Sequence, residues 1–309
     1  MPALQTHYWF ADSLFPLDMP YRQAALVGAQ GPDPFFLAGV LPFSFRGIRV
    51  WKVGQALHRK EIAAYYAAFW SEAKKSKNPA LALAFFKGLL AHYALDRACH
   101  PYVYSWTGFS SRYGGKRVPH HSANHAKLEM AIDEIVAEEN GHFSYVPEYA
   151  LALPNDQLQE LSRLFELANQ QVPLGKMTAD SYAWGVRCYR RVERFLNSPH
   201  GLKRGLFRLF GKNFILYAMS YPSSLQKTYG EVDWLNRQHR PWLDPSSGEE
   251  RYESWDDLER EAFQDYQEIS RALENEKDVF TSLENWCEGK NHNGFRQGQN
   301  MVHYQPLFS

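Results

Sequence analysis

Apolar residues recur along most of this chain at the 3.6-residue spacing of helices that bury one face. Residues 60–75 (KEIAAYYAAFWSEAKK) place them at i, i+3 and i+4, with charge at both ends. Residues 79–100 open with Pro79 at a first helical position behind Asn78 as a cap candidate. That helix is predicted to stop at His100, before Pro101. Another is predicted over 122–140, from a Ser or Asn cap to the Asn140–Gly141 stop. Segments 155–172, 178–197 and 256–286 read the same way. Strand signals are scarce, and the short alternations near 43–50 and 102–109 do not make a sheet. Pro/Gly-rich loops are expected at 28–36, 110–121 and 239–250, and the stretch after Gly289 carries weak structure signals.

Composition narrows the picture. Hydrophobic residues make up 45% of the 309, enough for a sizeable core, and aromatics at 15% suit bulky helix-to-helix packing. Lys plus Arg and Asp plus Glu are 34 each, so no global field draws the chain to nucleic acid or anionic lipid. Local basic patches remain compatible with that balance. The stretch GLKRGLFRLFGKNFILYAMS at 201–220 fits an interfacial helix, although a packed helix with a charged rim is the more ordinary reading. No run of about 18 apolar residues exists. The N-terminus lacks the basic and apolar regions of a signal peptide, so a cytoplasmic setting is expected. Cys99, Cys188 and Cys287 are far apart without a CxxC, which excludes a disulfide framework and a thiolate zinc knuckle.

The histidines carry the chemistry. In the 79–100 helix, His92, Asp96 and His100 fall at i, i+4 and i+8, and residues four apart share a face. His92 and Asp96 can grip one cation together; His100, two turns from His92, suits a second beside it. Their neighbours Leu89, Leu90, Ala91, Ala94, Leu95 and Ala98 are apolar, so the polar groups sit on a face expected to be buried. A buried carboxylate between imidazoles needs a partner, and a divalent metal supplies one. His125 and Glu129 repeat the spacing, with Asp133 one turn later. A single such pair is more often a hydrogen-bonded surface pair. Two of them, with His100 at a helix end, favour a metal site built in a helical core. Imidazole and carboxylate without thiolate suit zinc best, with manganese or iron compatible.

These residues resemble the zinc-dependent phospholipase C family, whose relatives include single-strand-specific zinc nucleases. The matching segments are THYWFADSL at 6–14, GAQGPDPFF at 28–36, HYALDRACHPYVY at 92–104 and HAKLEMAID at 125–133, with a looser match at NRQHRPWLDPSSGE, 236–249. The resemblance implies an all-α fold, a single multi-helix domain over 1–309 with the metal cluster in its core. Residues 1–140 then form the metal-site half, 141–288 add helices, and 289–309 are a C-terminal tail. It implies two or three Zn2+ ions. Asp33, His58, His92 and Asp96 would hold the first; His100, His125 and Glu129 the second; Asp96 would bridge toward a third with His7. His58 is assigned by its distance from Asp33 and a place before a helix. Asp33 would orient or deprotonate the attacking water. Two departures stand out. Secreted relatives ligate a third zinc through a processed N-terminal Trp, whereas this chain begins MPALQTH. The spacing from Asp96 to the following His is also shorter here.

The expected activity is phosphoester hydrolysis of the phospholipase C kind. A phospholipid or a soluble phosphodiester fits as substrate, and a nucleic acid is less favoured. A zinc nuclease or nucleotidase, and a metal-binding protein without catalysis, stay open as alternatives. Arg97 and Arg112 are candidates to stabilise the leaving oxygen, with an ordinary solvated charge the better reading of each.

Overall fold

The computed structural model describes residues 4–38, 45–110, 118–141, 150–197, 200–211, 214–220, 232–275 and 278–305. Five helices lead to a long central one: α1 (Leu4–Leu14), α2 (Arg22–Gly28), α3 (Pro34–Leu37), α4 (Phe45–Arg59), α5 (Ala63–Lys74) and then α6 (Pro79–Thr107). After it come α7 (His121–Glu139), α8 (Asn155–Gln171), α9 (Ser181–Leu196), α10 (Leu202–Arg208) and α11 (Ile215–Ala218). A two-residue antiparallel pair, β1 (Trp242–Leu243) with β2 (Glu250–Arg251), sets Trp242 opposite Arg251 within the expected 239–250 loop. Helices α12 (Trp255–Asn275) and α13 (Val279–Cys287) follow. The chain is predominantly helical, as its periodicity predicts.

Helix α6 starts as its sequence dictates: Asn78 Oδ1 accepts from Leu81 N at 3.1 Å, behind Pro79 in the first turn. Its end does not follow the prediction. The helix passes through Pro101 and stops seven residues later than expected, at Thr107 before Gly108. Proline cannot donate to the carbonyl four residues back, here Arg97 O. The Gly294 backbone packs against that carbonyl and the Pro101 ring, so closely that a Cβ at Gly294 would lie 2.5 Å from Arg97 O. Packing from a distant segment thus overrides a local stop signal.

As expected, the alternations near 43–50 and 102–109 make no sheet among the described residues: 45–50 lies in α4 and 102–107 in α6. Two further expectations are corrected. Segment 256–286 divides into α12 and α13, because Asp278 caps a new start by accepting from Thr281 N and Thr281 Oγ1. The start of the stretch after Gly289 is built into the core: Asn291, His292 and Asn293 are buried. Asn291 Nδ2 donates to Arg59 O at 3.1 Å and Asn293 Nδ2 to His58 O at 3.0 Å. Of the expected 110–121 loop, residues 111–117 lie outside the described ones.

Helix α6 is covered by α2, α12, α5, α7 and α1. Phe85, Phe86, Leu89, Leu90, Tyr93 and Leu95 are all buried along it, on more than one face. Its crossing with α2 is a backbone-to-backbone contact. A Cβ on Gly88 would lie 2.1 Å from Ala25 O and 2.7 Å from Ala29 N. Buried tyrosines satisfy their hydroxyls on carbonyls, Tyr65 on Phe165 O and Tyr102 on Trp234 O, each at 2.9 Å.

Gly88→Ala is expected to force α2 from α6 and cost about 1–3 kcal/mol, read as a lower urea midpoint at unchanged m-value; an unchanged midpoint would contradict the close crossing. On α12, burial together with the neighbouring Asp256 and Glu139 pushes the Glu259 carboxyl up to about 7 from an ordinary 4.5. A raised folded-state value means ionisation opposes folding, with the penalty absent below about 4.5 and complete above about 7. Glu259→Gln is therefore expected to raise the thermal midpoint by a few degrees at pH 8 and leave it unchanged at pH 4.5. An equal rise at both pH values would refute that assignment.

Candidate metal centre

Four elements and one turn converge on a single buried point. Helix α6 supplies His92, Asp96 and His100 from one face, and α7 supplies His125 and Glu129. His7 comes from α1, Asp33 from the turn ahead of α3, and His58 from the last turn of α4. His58 therefore closes one helix and lies just ahead of the next, α5, as expected. All eight residues predicted to ligate metal meet here.

Three sets bring one donor atom from each member within 4.8 Å of the others: His58, His92 and Asp96; His100, His125 and Glu129; His7, Asp33 and His92. Asp96 lies between the sets. Its Oδ2 is 3.0 Å from His92 Nε2 and 3.7 Å from His58 Nε2, and its Oδ1 is 3.3 Å from His7 Nε2 and 3.4 Å from His100 Nδ1. Asp33 Oδ1 is 3.0 Å from His58 Nε2, and Glu129 Oε1 is 2.8 Å from His125 Nε2 and 3.9 Å from His100 Nε2.

The backbone fixes the ring tautomers. His58 Nδ1 bonds Gly54 O at 2.9 Å, His92 Nδ1 bonds Ala29 O at 3.0 Å, and His100 Nδ1 meets Asp96 O and His292 O at 3.0 Å each. A carbonyl only accepts, so Nδ1 carries the proton in each ring. In a neutral ring Nε2 then presents a lone pair, and for His58 and His92 it faces a carboxylate 3.0 Å away. Two lone pairs that close need a cation between them. Asp33 Oδ2, His92 Nε2, Asp96 Oδ2 and His7 Nδ1 are also buried without a hydrogen-bond partner among the described residues. Rings locked by carbonyls from behind, with orphaned donor atoms in front, are the arrangement that metal ligation produces. These buried groups can hold metal ions, and their donor set fits a divalent metal taking nitrogen and oxygen ligands.

The titration of the cluster has the same cause. Burial alone would push Asp96 up, but His100, His92 and His7 around it hold its carboxyl well below the usual range. Burial likewise opposes Glu129, and His125 holds it low. Burial pushes His100 down, and it tends to lower His7, yet the Asp96 carboxylate carries the His7 imidazole above its ordinary value.

Two supporting features explain the motifs. Gly31 has φ +51 beneath the His92 ring, and a Cβ there would lie 2.2 Å from the ring, so only glycine fits the turn that carries Asp33. Asp133 is a clamp one turn beyond Glu129. It accepts from Gln5 N at 3.0 Å, Thr6 N at 2.8 Å and Thr6 Oγ1 at 2.6 Å, which secures the start of α1 and aims His7 inward.

The sequence did not disclose His292. Its fully buried ring lies 4.9 Å from that of His58 and 5.5 Å from that of His92, with Tyr66 Oη 3.1 Å from Nε2. Burial, then the neighbouring His58 and His92, hold it well below the usual imidazole value, so it stays a neutral wedge. Lys290-Asn-His-Asn-Gly reads locally as a turn, and nothing in it signals a core position.

A cavity of about 140 Å³ opens onto the cluster, lined by Asp33, His58, Asp96, His100, Tyr104 and Arg59 among others. Among the described residues, Arg59 is the Lys or Arg that lines this opening. Arg97 does not line this cavity and is not an ordinary solvated charge: it pairs with Asp265, donates to Trp286 O and stacks over Trp286. Arg112 lies outside the described residues. Compared with family profiles, with curated proteins and with solved structures, the chain matches none.

If the ring of His292 positions His58 and His92, His292→Ala should weaken divalent-metal binding about 10–100-fold, as measured by competition with a chromophoric chelator. Affinity equal to wild type would show that the wedge does not matter to the ligands.

Proposed function

We propose that this protein is a zinc-dependent phosphoester hydrolase of the phospholipase C kind. The observation that carries the reading is the convergence of eight imidazole and carboxylate groups, seven of them buried and His100 partly so, beside an open cavity. A purely structural zinc needs four ligands and no opening. Here the donors exceed that number and a cavity reaches them. His58, His92, Asp96 and Asp33 would hold one ion and His100, His125 and Glu129 another, with His7 reaching Asp96 from the third set. When bound, the metal pair supplies Lewis acidity, lowering the pKa of a water and polarising a phosphoryl group.

The chain's own residues do the rest. Asp33 borders both the ligands and the cavity, which supports a role in which its carboxylate would orient a water and take its proton. Arg59 lines the opening and suits a phosphoryl oxygen through its guanidinium. The carbonyls of Gly54 and Ala29 keep His58 and His92 turned inward through each turnover. The cavity has room for a headgroup-sized anion and not for an acyl chain, so a lipid would insert only its phosphoester.

The test is hydrolysis by zinc-loaded protein of bis(4-nitrophenyl) phosphate, phosphatidylcholine and single-stranded DNA. Activity on at least one phosphodiester is expected, lost on chelation, regained with zinc, and at least about a hundredfold lower in Asp96→Asn. Preference for DNA would favour the nuclease alternative. Zinc-loaded protein inert on all three substrates, or full activity in Asp96→Asn, would remove the reading.

A further inference from the structure

A second surface departs from the rest of the molecule. Residues 194–230 contain no Asp or Glu, in a chain where 34 of 309 residues are acidic. The same interval carries Arg194, Lys203, Arg204, Arg208, Lys212 and Lys227. Within it, α10 and the turn behind it present large apolar side chains to solvent. Leu202 is 77% exposed, Leu206 57%, Leu209 81% and Phe210 70%, with Phe195 at 53% on the end of α9. Isolated exposed leucines are ordinary, but a cluster this dense on one short helix is not.

The cluster is held firmly. Arg204 is buried beneath α10, where its Nη1 donates to Tyr217 O at 3.1 Å and Ser220 O at 3.2 Å, and its guanidinium stacks on Tyr217. Lys203 Nζ ties α10 to the end of α9 by donating to Phe195 O at 2.9 Å and Asn197 O at 3.1 Å. Phe207 points inward against Phe195 and Phe214, with ring centroids 6.0 and 6.3 Å away. With Arg204 and Phe207 anchored on one side, Leu202, Leu206, Leu209 and Phe210 are left outward by helical geometry. The platform joins elements that carry the metal centre: α9 packs on α3, beside Asp33, and α11 packs on α7, which bears His125 and Glu129.

We infer that Leu202, Leu206, Leu209 and Phe210, with Arg194 and Arg208 at their rim, dock the protein on an anionic lipid bilayer. Apolar side chains enter the interface while cations meet lipid phosphates, the pattern of a helix lying in the plane of the membrane. The charge decides the occupant. Among the described residues 194–197, 200–211 and 214–220 no carboxylate opposes these cations, and an anionic bilayer rewards each cation near its surface by roughly fivefold in affinity. This surface would deliver the protein to lipid whether or not the proposed hydrolysis is correct, and the experiment keeps the two apart.

Full-length protein is sedimented with 100 nm vesicles of phosphatidylcholine alone or with about 30% phosphatidylglycerol, beside Leu209→Glu/Phe210→Glu and Arg208→Glu, and hydrolysis of bis(4-nitrophenyl) phosphate is measured on each. The substituted side chains are exposed, so folding is retained. Wild type is expected to bind anionic vesicles, more weakly in 0.5 M NaCl and on pure phosphatidylcholine. The double variant should bind at least tenfold more weakly and Arg208→Glu several-fold, with soluble hydrolysis unaltered. Equal binding by wild type and double variant, or none by wild type, would overturn the inference. So would wild-type self-association that the double variant abolishes, since a second copy would then own the surface. An inactive protein that still binds vesicles in this pattern would sink the hydrolase reading alone.

Discussion

Removing a carboxylate from water costs several kcal/mol unless opposite charge and donors surround it. Asp96 meets that condition with four imidazoles, His7, His58, His92 and His100, approaching it from α1, α4 and α6. Most of the architecture follows from keeping those rings in place. The glycine crossing of α2 and α6 brings Ala29 O to His92, the turn at Gly31 passes under the same ring, and Asp133 secures the helix that bears His7. With His58 and His92 protonated on their outer nitrogens, positive charge between ring and carboxylate is needed, and a divalent metal provides it without protonating the ligands.

Much of the centre was legible because its spacing is local. His92, Asp96 and His100, and again His125 and Glu129, declare themselves at helical intervals whatever the remaining chain does. The helices were legible for the same reason, as apolar periodicity belongs to each segment alone. What escaped came from contacts distant in sequence. Pro101 would end an isolated helix, yet Gly294, nearly two hundred residues on, packs where the missing hydrogen bond would be. His292 lies in a segment without periodicity and becomes part of the centre through Tyr66, His58 and His92. Arg59 was passed over because nothing in its neighbourhood marks it as facing a pocket built by four other elements.

The charge distribution carries a related lesson. A net charge of zero hides an uneven distribution along the chain, with carboxylates absent from 194–230 and dense elsewhere, as in Asp256, Asp257 and Glu259 of α12. Global balance excludes global steering and leaves a local surface free to act. The exposed leucines of α10 showed the same ambiguity in the sequence, since an apolar pattern on a short helix does not say which side faces solvent. Arg204 decides it by burying its guanidinium on Tyr217.

The central claim is that the cluster around Asp96 is a multinuclear metal centre. Anomalous diffraction on either side of the zinc edge, from crystals grown with zinc, tests it most directly. Two or three peaks are predicted, one among His58, His92 and Asp96 and one among His100, His125 and Glu129. Density without an anomalous peak at either position, in a crystal whose zinc content is otherwise demonstrable, would contradict the account.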